Sequence, residues 1–99
     1  MANYLIVNHS DGTTPPATPD EWMGFFGSVL GAHVVDGGKP LTTTKTVVKN
    51  GKTSDASDTA VGYYIIKADS LKEASDLIEK SPLSNRPGCE VRVYELRDM

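Results

Sequence analysis

The chain has 99 residues, a formal net charge of −3 and a sequence pI of about 5.2. This length predicts a single domain over residues 1–99, and the scattered basic residues lack the clustered face that nucleic-acid binding requires. The single cysteine, Cys89, excludes an internal disulfide and favours a reducing compartment. The apolar run at the N-terminus ends at Asn8, too early for a signal peptide or a membrane span. We therefore expect a cytoplasmic protein without membrane contact.

The first third of the chain predicts a strand followed by a helix. The apolar run Tyr4 to Val7 is typical of a short strand, and residues 10–17, with glycine and two prolines, predict a loop. Thr18-Pro19-Asp20-Glu21 matches a capping box with proline at the first helical position. The apolar residues that follow share one helical face up to Leu30, and Gly31 is expected to end the helix. These residues are Trp22, Phe25, Phe26, Val29 and Leu30.

The middle of the chain predicts an interrupted strand and a hairpin. Val34-Val35 begins the strand, and residues 36–40, with two glycines and a proline, are expected to interrupt it. Pairing is expected to resume at Thr42 to Lys49, which is rich in threonine and valine. Asn50-Gly51 is the preferred pair for a two-residue hairpin turn, and Lys52 to Ser54 would form the return arm.

The last third of the chain predicts a strand, a helix and a final strand. Val61 to Lys67 is an apolar run typical of a strand, and Ser70-Leu71-Lys72-Glu73 matches a second capping box. Ser81-Pro82 is expected to end this helix. Glu90 to Leu96 alternates polar and apolar residues, as a half-buried strand does. The expected apolar face of the helix comprises Leu71, Ala74, Leu77 and Ile78.

This order of elements predicts an α+β, ferredoxin-like βαββαβ fold with both helices on one face of an antiparallel sheet. The first strand is apolar at both parities, with Tyr4 and Ile6 on one side and Leu5 and Val7 on the other. Since the helices cover only one face, we expect a second copy to cover the other, giving a homodimeric α/β barrel. The alternative is that the hairpin and the C-terminal residues fold over that face.

Three segments of the chain carry a family resemblance. They are Pro19-x-x-Trp22 with residues 30–41, the run from Val61 to Ala74, and Ser81-Pro82-Leu83 with Glu90-Val91-Arg92. Together they are similar to YCII-related proteins of the DGPF type, which implies a ferredoxin-like fold that pairs as a dimeric α/β barrel. The family's Asp-Gly-Pro-Phe signature corresponds here to Asp55-Ala56-Ser57-Asp58, of which only the aspartate matches. The helical histidine of the family's proposed His–Asp pair is absent from residues 19–30.

Three side chains are candidates for acid–base catalysis. Asp36 interrupts an apolar strand and would act as a general base if it were desolvated, or it serves the Gly37-Gly38 turn through its own backbone. His9 and His33 are candidates because histidine is the side chain whose unperturbed pKa lies near neutrality; the alternative is that they are surface and helix-end residues. The predicted topology places the two histidines at opposite ends of the sheet.

The aromatic residues Trp22, Phe26, Tyr63 and Tyr64 either line a ligand pocket or form ordinary core and interface. Cys89 has no sequence neighbour that would activate its thiol, apart from Arg86 across a proline. Neither the histidines nor the cysteine show metal-ligand spacing, and no phosphate-binding glycine loop is present. We therefore expect no metal and no cofactor.

Two functions remain open from the sequence. One is a cofactor-free lyase or isomerase that acts on a small organic molecule, with Asp36 or a histidine in its cavity. The other is a non-catalytic module that binds a ligand or a protein through the same cavity or the apolar sheet face. A stable homodimer is expected in the first case and is compatible with the second.

Overall fold

The computed structural model describes residues 1–97 and shows an α+β fold, as the sequence predicts. Within these residues the chain forms six strands and two α-helices. The bounds of the strands are β1 Ala2–Ser10, β2 Val34–Pro40, β3 Thr46–Lys49, β4 Lys52–Asp55, β5 Ala60–Ala68 and β6 Cys89–Leu96. The α-helices are α1 Pro19–Phe25 and α2 Leu71–Ile78.

The main sheet has four strands in the order β2-β5-β1-β6, and every neighbouring pair is antiparallel. Because the helices connect β1 to β2 and β5 to β6, this order is the ferredoxin-like one, and the predicted fold class is confirmed. The strands β3 and β4 form a separate hairpin inserted between β2 and β5. Its turn residues, Asn50 and Gly51, have φ values of 54° and 75°, as the predicted two-residue turn requires.

The first helix begins as predicted and ends differently. The Thr18 hydroxyl accepts from the Glu21 N–H at 3.2 Å, and the Glu21 carboxylate accepts from the Thr18 N–H, which completes the capping box. The α-helix ends at Phe25, however, and a π-helical turn over Phe26–Leu30 and a 3₁₀ turn over Gly31–His33 follow it. Two glycines near this junction, at positions 24 and 27, lower helix propensity where the change of winding occurs.

The predicted interruption of β2 is wrong. The strand continues to Pro40, with shifts of register on either side of Asp36. Gly38 makes this continuity possible, since its φ is +67° and an added Cβ would lie 1.7 Å from the carbonyl oxygen of Tyr63. Pairing does not resume at Thr42 either, because the hairpin begins only at Thr46.

The second helix has its predicted N-cap residue, but only one of the two hydrogen bonds of a capping box forms. The Ser70 hydroxyl accepts from the Glu73 N–H at 3.1 Å. The Glu73 carboxylate instead accepts from the N–H of Asp69, one residue before the cap, at 3.0 Å. The helix ends at Ile78, before Ser81-Pro82, as the proline predicts.

The core lies between the sheet and the helices. Alternate residues of the central strands are buried on this face, including Tyr4, Ile6, Tyr64 and Ile66, and Ala74 and Ile78 of α2 pack on them. The opposite face, which we call the uncovered face, carries Leu5, Val7, Tyr63 and Ile65, all partly exposed. No helix in the described part of the chain combines the length and apolar character needed to cross a lipid bilayer.

Candidate ligand-binding cavity

A cavity of about 590 Å³ opens beside the start of α1, at the end of the sheet where β1 ends and β5 begins. Its volume lies within the usual range for small-molecule sites. Part of its wall comes from the loop before α1 and from the glycine-containing part of β2. The remaining wall residues include Asn8, Trp22, Phe26, Tyr64 and Cys89.

Three aromatic side chains, Trp22, Phe26 and Tyr64, form one wall of the cavity, which we call the aromatic wall. The Phe26 and Tyr64 ring centroids are 5.1 Å apart and the Trp22 and Tyr64 centroids 6.3 Å, both in edge-to-face geometry. Phe25 packs edge-on against Trp22 and Tyr64 at 6.2 and 6.4 Å. These contacts fix the rings in place, so the wall is a preformed apolar surface.

Two buried polar atoms of the cavity residues have no hydrogen-bond partner within the described chain: Asn8 Oδ1 and the Tyr64 hydroxyl. Asn8 is 6 % exposed and Tyr64 only 2 %. Burial raises the pKa of Tyr64 above its usual value, so its hydroxyl stays protonated. Since nearly all buried polar atoms in proteins are paired, two unpaired atoms at one cavity are unusual.

The register of the sheet brings these two residues close together. Asn8 pairs with Gly62, and Ile6 pairs with Tyr64, so Asn8 and Tyr64 are diagonal neighbours on adjacent strands. Both alternate with the residues of the uncovered face and therefore lie on the helix-covered side. The cavity thus holds a hydrogen-bond acceptor and a neutral hydroxyl beside an aromatic wall.

The cavity is nearly free of charge. Among the described residues that line the cavity, Lys39 is the one acidic or basic residue, and it is exposed on the edge strand β2. No aspartate, glutamate or histidine lines it within residues 1–97. A buried ionic group of a ligand would consequently have no opposite charge in the interior.

The loop over residues 11–18, which forms the outer wall, is tied to the 84–88 loop. Arg86 forms an ion pair with Glu21 and donates to the Pro15 carbonyl at 3.2 Å. The Thr14 hydroxyl donates to the Pro87 carbonyl at 2.6 Å. The Thr18 N–H and then Arg86 hold the pKa of Glu21 below its usual value. Glu21 therefore both caps α1 and holds the outer wall.

The structure places the predicted acid–base residues away from this cavity. The Asp36 carboxylate is exposed and accepts from the Gly38 N–H at 2.8 Å, which is the turn role that the sequence left open. The His33 Nδ1 lies 2.8 Å from the Lys67 carbonyl oxygen, and the His9 Nδ1 lies 2.8 Å from the Thr59 hydroxyl. None of the three lines the cavity.

The histidines lie at opposite ends of the sheet, as predicted. Lys67, whose carbonyl contacts His33, pairs with Asn3, which lies six residues before His9 on the same strand. At about 3.3 Å per residue, the two ends are roughly 20 Å apart. One protomer therefore does not bring both imidazoles to one site.

All four aromatic residues singled out from the sequence border the cavity, although Tyr63 alternates toward the uncovered face. Cys89, for which the sequence indicated no role, also lines it. Sequence reasoning missed Asn8, which appeared only as the residue that ends an apolar run. Its spacing along the strand could have indicated its position, because Asn8 follows Tyr4 and Ile6 at intervals of two residues and so lies on the same buried face.

Residues 1–97 contain no group of three or more His, Cys, Asp or Glu side chains placed to hold a metal ion. A family model described as the YCII-related domain matches residues 29–97, well over half of the chain. The match begins in the π-helical turn and includes the β2, β5 and β6 residues of the cavity. No curated protein matches this sequence.

Proposed function

This chain belongs to the YCII-related domain family, and we propose that it binds a small organic molecule in the cavity beside α1. One observation carries the proposal: Asn8 Oδ1 and the Tyr64 hydroxyl are buried at a mostly apolar cavity and have no hydrogen-bond partner among residues 1–97. An unpaired buried polar group destabilises the folded chain. A ligand that pairs with both groups would remove that destabilisation.

The geometry supports binding better than acid–base catalysis within one protomer. A general base has to reach the proton that it abstracts, directly or through one water. Asp36, His9 and His33 do not line the cavity, and the hydroxyl of Tyr64 is held protonated by burial, which raises its pKa. The lyase or isomerase hypothesis then requires a base other than these residues, either from the cavity lining or from a second protomer.

The test uses N-phenyl-1-naphthylamine, a neutral fluorophore whose emission rises in apolar surroundings. We expect saturable binding of one molecule per protomer. Ala17 lines the cavity from the outer loop, so Ala17→Phe should fill part of the space and weaken binding at least tenfold. The matched control is Ala32→Phe, at an exposed position that does not line the cavity, and it should bind like the wild type.

The contrast between the two variants separates the cavity from other apolar surfaces. Fluorescence that does not saturate, or that Ala17→Phe leaves unchanged, would place the probe elsewhere and contradict the proposal. The enzyme hypothesis with Asp36 as its base has its own readout, because Asp36→Asn would then abolish turnover while leaving probe binding intact.

We further propose that the protein acts as a homodimer through the uncovered face. Besides Leu5, Val7 and Ile65, this face carries Tyr94 and Leu96 at 44 % and 39 % exposure. The accessible surface is 6843 Å², against about 5,500 Å² expected for a monomer of this mass. Although the exposed hairpin accounts for part of the difference, the excess leaves room for the roughly 800 Å² per partner of a standard interface.

The alternative cover for this face has little support. All residues of β3 and β4 are exposed, so the hairpin strands do not fold over the sheet. Arg97 is exposed, and residues 98–99 lie outside the described part of the chain. The DGPF subtype and the cytoplasmic location stay predictions from the sequence.

A further inference from the structure

Resting on the proposed function, we infer that the ligand class is an uncharged hydroxyaromatic molecule, a phenol or a related enol. Three features of the cavity carry this inference: the aromatic wall, the absence of interior charge and the two unpaired polar atoms. Each restricts a different property of the ligand, namely its shape, its charge and its polar group.

The aromatic wall favours a flat, apolar body. Trp22, Phe26 and Tyr64 hold one another in edge-to-face geometry with centroids between 5.1 and 6.3 Å, apart from the tilted Trp22–Phe26 pair at 6.1 Å. Rings fixed in this way offer edges and faces to a further ring, and such pairs add to the free energy of apolar burial. Prolines of the outer loop, including Pro15 and Pro16, add to the apolar lining.

The scarcity of charged side chains among the described lining residues favours an uncharged ligand. A buried cation is paired most directly by a carboxylate, and none lines the cavity within the described residues. A buried anion requires a cation, and Lys39 is exposed at the edge rather than placed in the interior. Either charge would therefore lose its hydration without gaining a buried opposite charge.

The unpaired atoms require a polar group that both donates and accepts. The Asn8 Oδ1 accepts only, so it needs a ligand O–H or N–H. The Tyr64 hydroxyl is neutral, because burial raises its pKa, and it donates to a ligand oxygen. A hydroxyl on an aromatic ring supplies a donor and an acceptor at the edge of a flat apolar body, which matches all three features.

The test measures how well four compounds with one skeleton displace N-phenyl-1-naphthylamine: indane, 5-indanol, indane-5-carboxylate and the cation 2-aminoindane. We expect 5-indanol to bind roughly tenfold more tightly than indane, the gain of about one good hydrogen bond. The two ions should bind more weakly than 5-indanol. A cavity without hydrogen-bonding groups should instead bind indane more tightly than 5-indanol, since indane has no hydroxyl to desolvate.

Two variants assign the preference to the named atoms. In Tyr64→Phe and in Asn8→Leu, the ratio of the 5-indanol and indane affinities should fall toward one or below. Tyr64→Phe removes a single oxygen and keeps the ring, so it serves as the decisive variant should Asn8→Leu fail to fold.

The outcomes distinguish the ligand class from the function itself. The hydroxyaromatic class is overturned if the wild type binds indane or either ion more tightly than 5-indanol. It is also overturned if Tyr64→Phe keeps the preference for 5-indanol. In both cases, probe binding in the cavity would still support the proposed function. A probe that does not bind, or that Ala17→Phe does not affect, refutes the function on which the inference rests.

Discussion

At the scale of single residues, the core contains two buried tyrosines with opposite hydrogen-bonding states, and one of them, Tyr64, also lines the cavity. The Tyr4 hydroxyl donates to Glu95 at 3.3 Å, whereas the Tyr64 hydroxyl has no partner within the described residues. Both side chains are almost fully buried, at 1 % and 2 % exposure. Removing an oxygen that is paired and removing one that is unpaired should change stability in opposite directions.

We predict that Tyr64→Phe raises the free energy of unfolding of the ligand-free protein by about 1 kcal/mol, since it removes an unsatisfied buried hydroxyl. Tyr4→Phe, the matched control, should lower it or leave it unchanged. Urea denaturation of the three proteins measures both effects. A loss of stability in Tyr64→Phe would mean that its hydroxyl is already satisfied, and the main support for a ligand site would disappear.

Some of the site could be predicted from single residues and some could not. Trp22 and Phe26 share a helical face, so their position on one wall follows from the spacing alone. The role of Asn8 depends on which parity of β1 faces the helices, and both parities of that strand are apolar. Asp36 stays a candidate base from the sequence, and in the structure its carboxylate accepts from the Gly38 N–H.

At the scale of elements, local signals predicted the starts of the helices better than the course of β2. Capping depends on residues three apart in sequence, and both N-caps form. The course of β2 depends on the close approach of Gly38 to the Tyr63 carbonyl of the neighbouring strand, which a local pattern does not contain. Glycines that normally end a strand therefore allow this one to continue.

The start of α1 makes a pH-dependent contribution to stability through Glu21. The Thr18 N–H and Arg86 lower the pKa of Glu21 in the folded protein relative to its ordinary value of 4.5. The contribution is therefore present above pH 4.5 and is lost as the pH falls through the lowered folded pKa. Glu21→Gln, which keeps a capping side chain, should be less stable than the wild type at pH 7 and should lose less stability on acidification.

Unfolding free energies measured between pH 7 and pH 3 test this prediction. Glu79→Gln, an exposed glutamate at the C-terminal end of α2, makes the same change in net charge away from the outer loop. Equal pH dependence in the wild type and Glu21→Gln would contradict a stabilising ion pair between Glu21 and Arg86.

At the scale of the whole molecule, the described chain is a slab of 41 × 38 × 18 Å with helices on one side only. The ferredoxin-like order followed from the sequence, because right-handed crossovers leave few topologies for this set of elements. The second face keeps partly exposed apolar residues within residues 1–97, and one protomer does not identify what covers them. Apolar residues at both parities of β1 and β5 remain the argument for a second copy.

We predict that light scattering gives a solution mass of twice 10.6 kDa for the wild type. Leu5→Arg places a charge in the centre of the uncovered face and should give a monomer at the same concentration. Met23→Arg, on the exposed side of α1, should leave the dimer intact. A wild type that is monomeric at all concentrations would contradict pairing through this face.

The cavity and the uncovered face are both apolar, and only one of them is proposed to bind a small molecule. The measurement that tests this most directly is a titration of the ¹⁵N-labelled protein with 5-indanol, followed by amide chemical shifts. We predict that the shifts concentrate at the Asn8 side-chain amide, the Trp22 indole and the Gly62 backbone. Shifts confined to Leu5, Val7 and Ile65, or no saturable shift at all, would contradict the account.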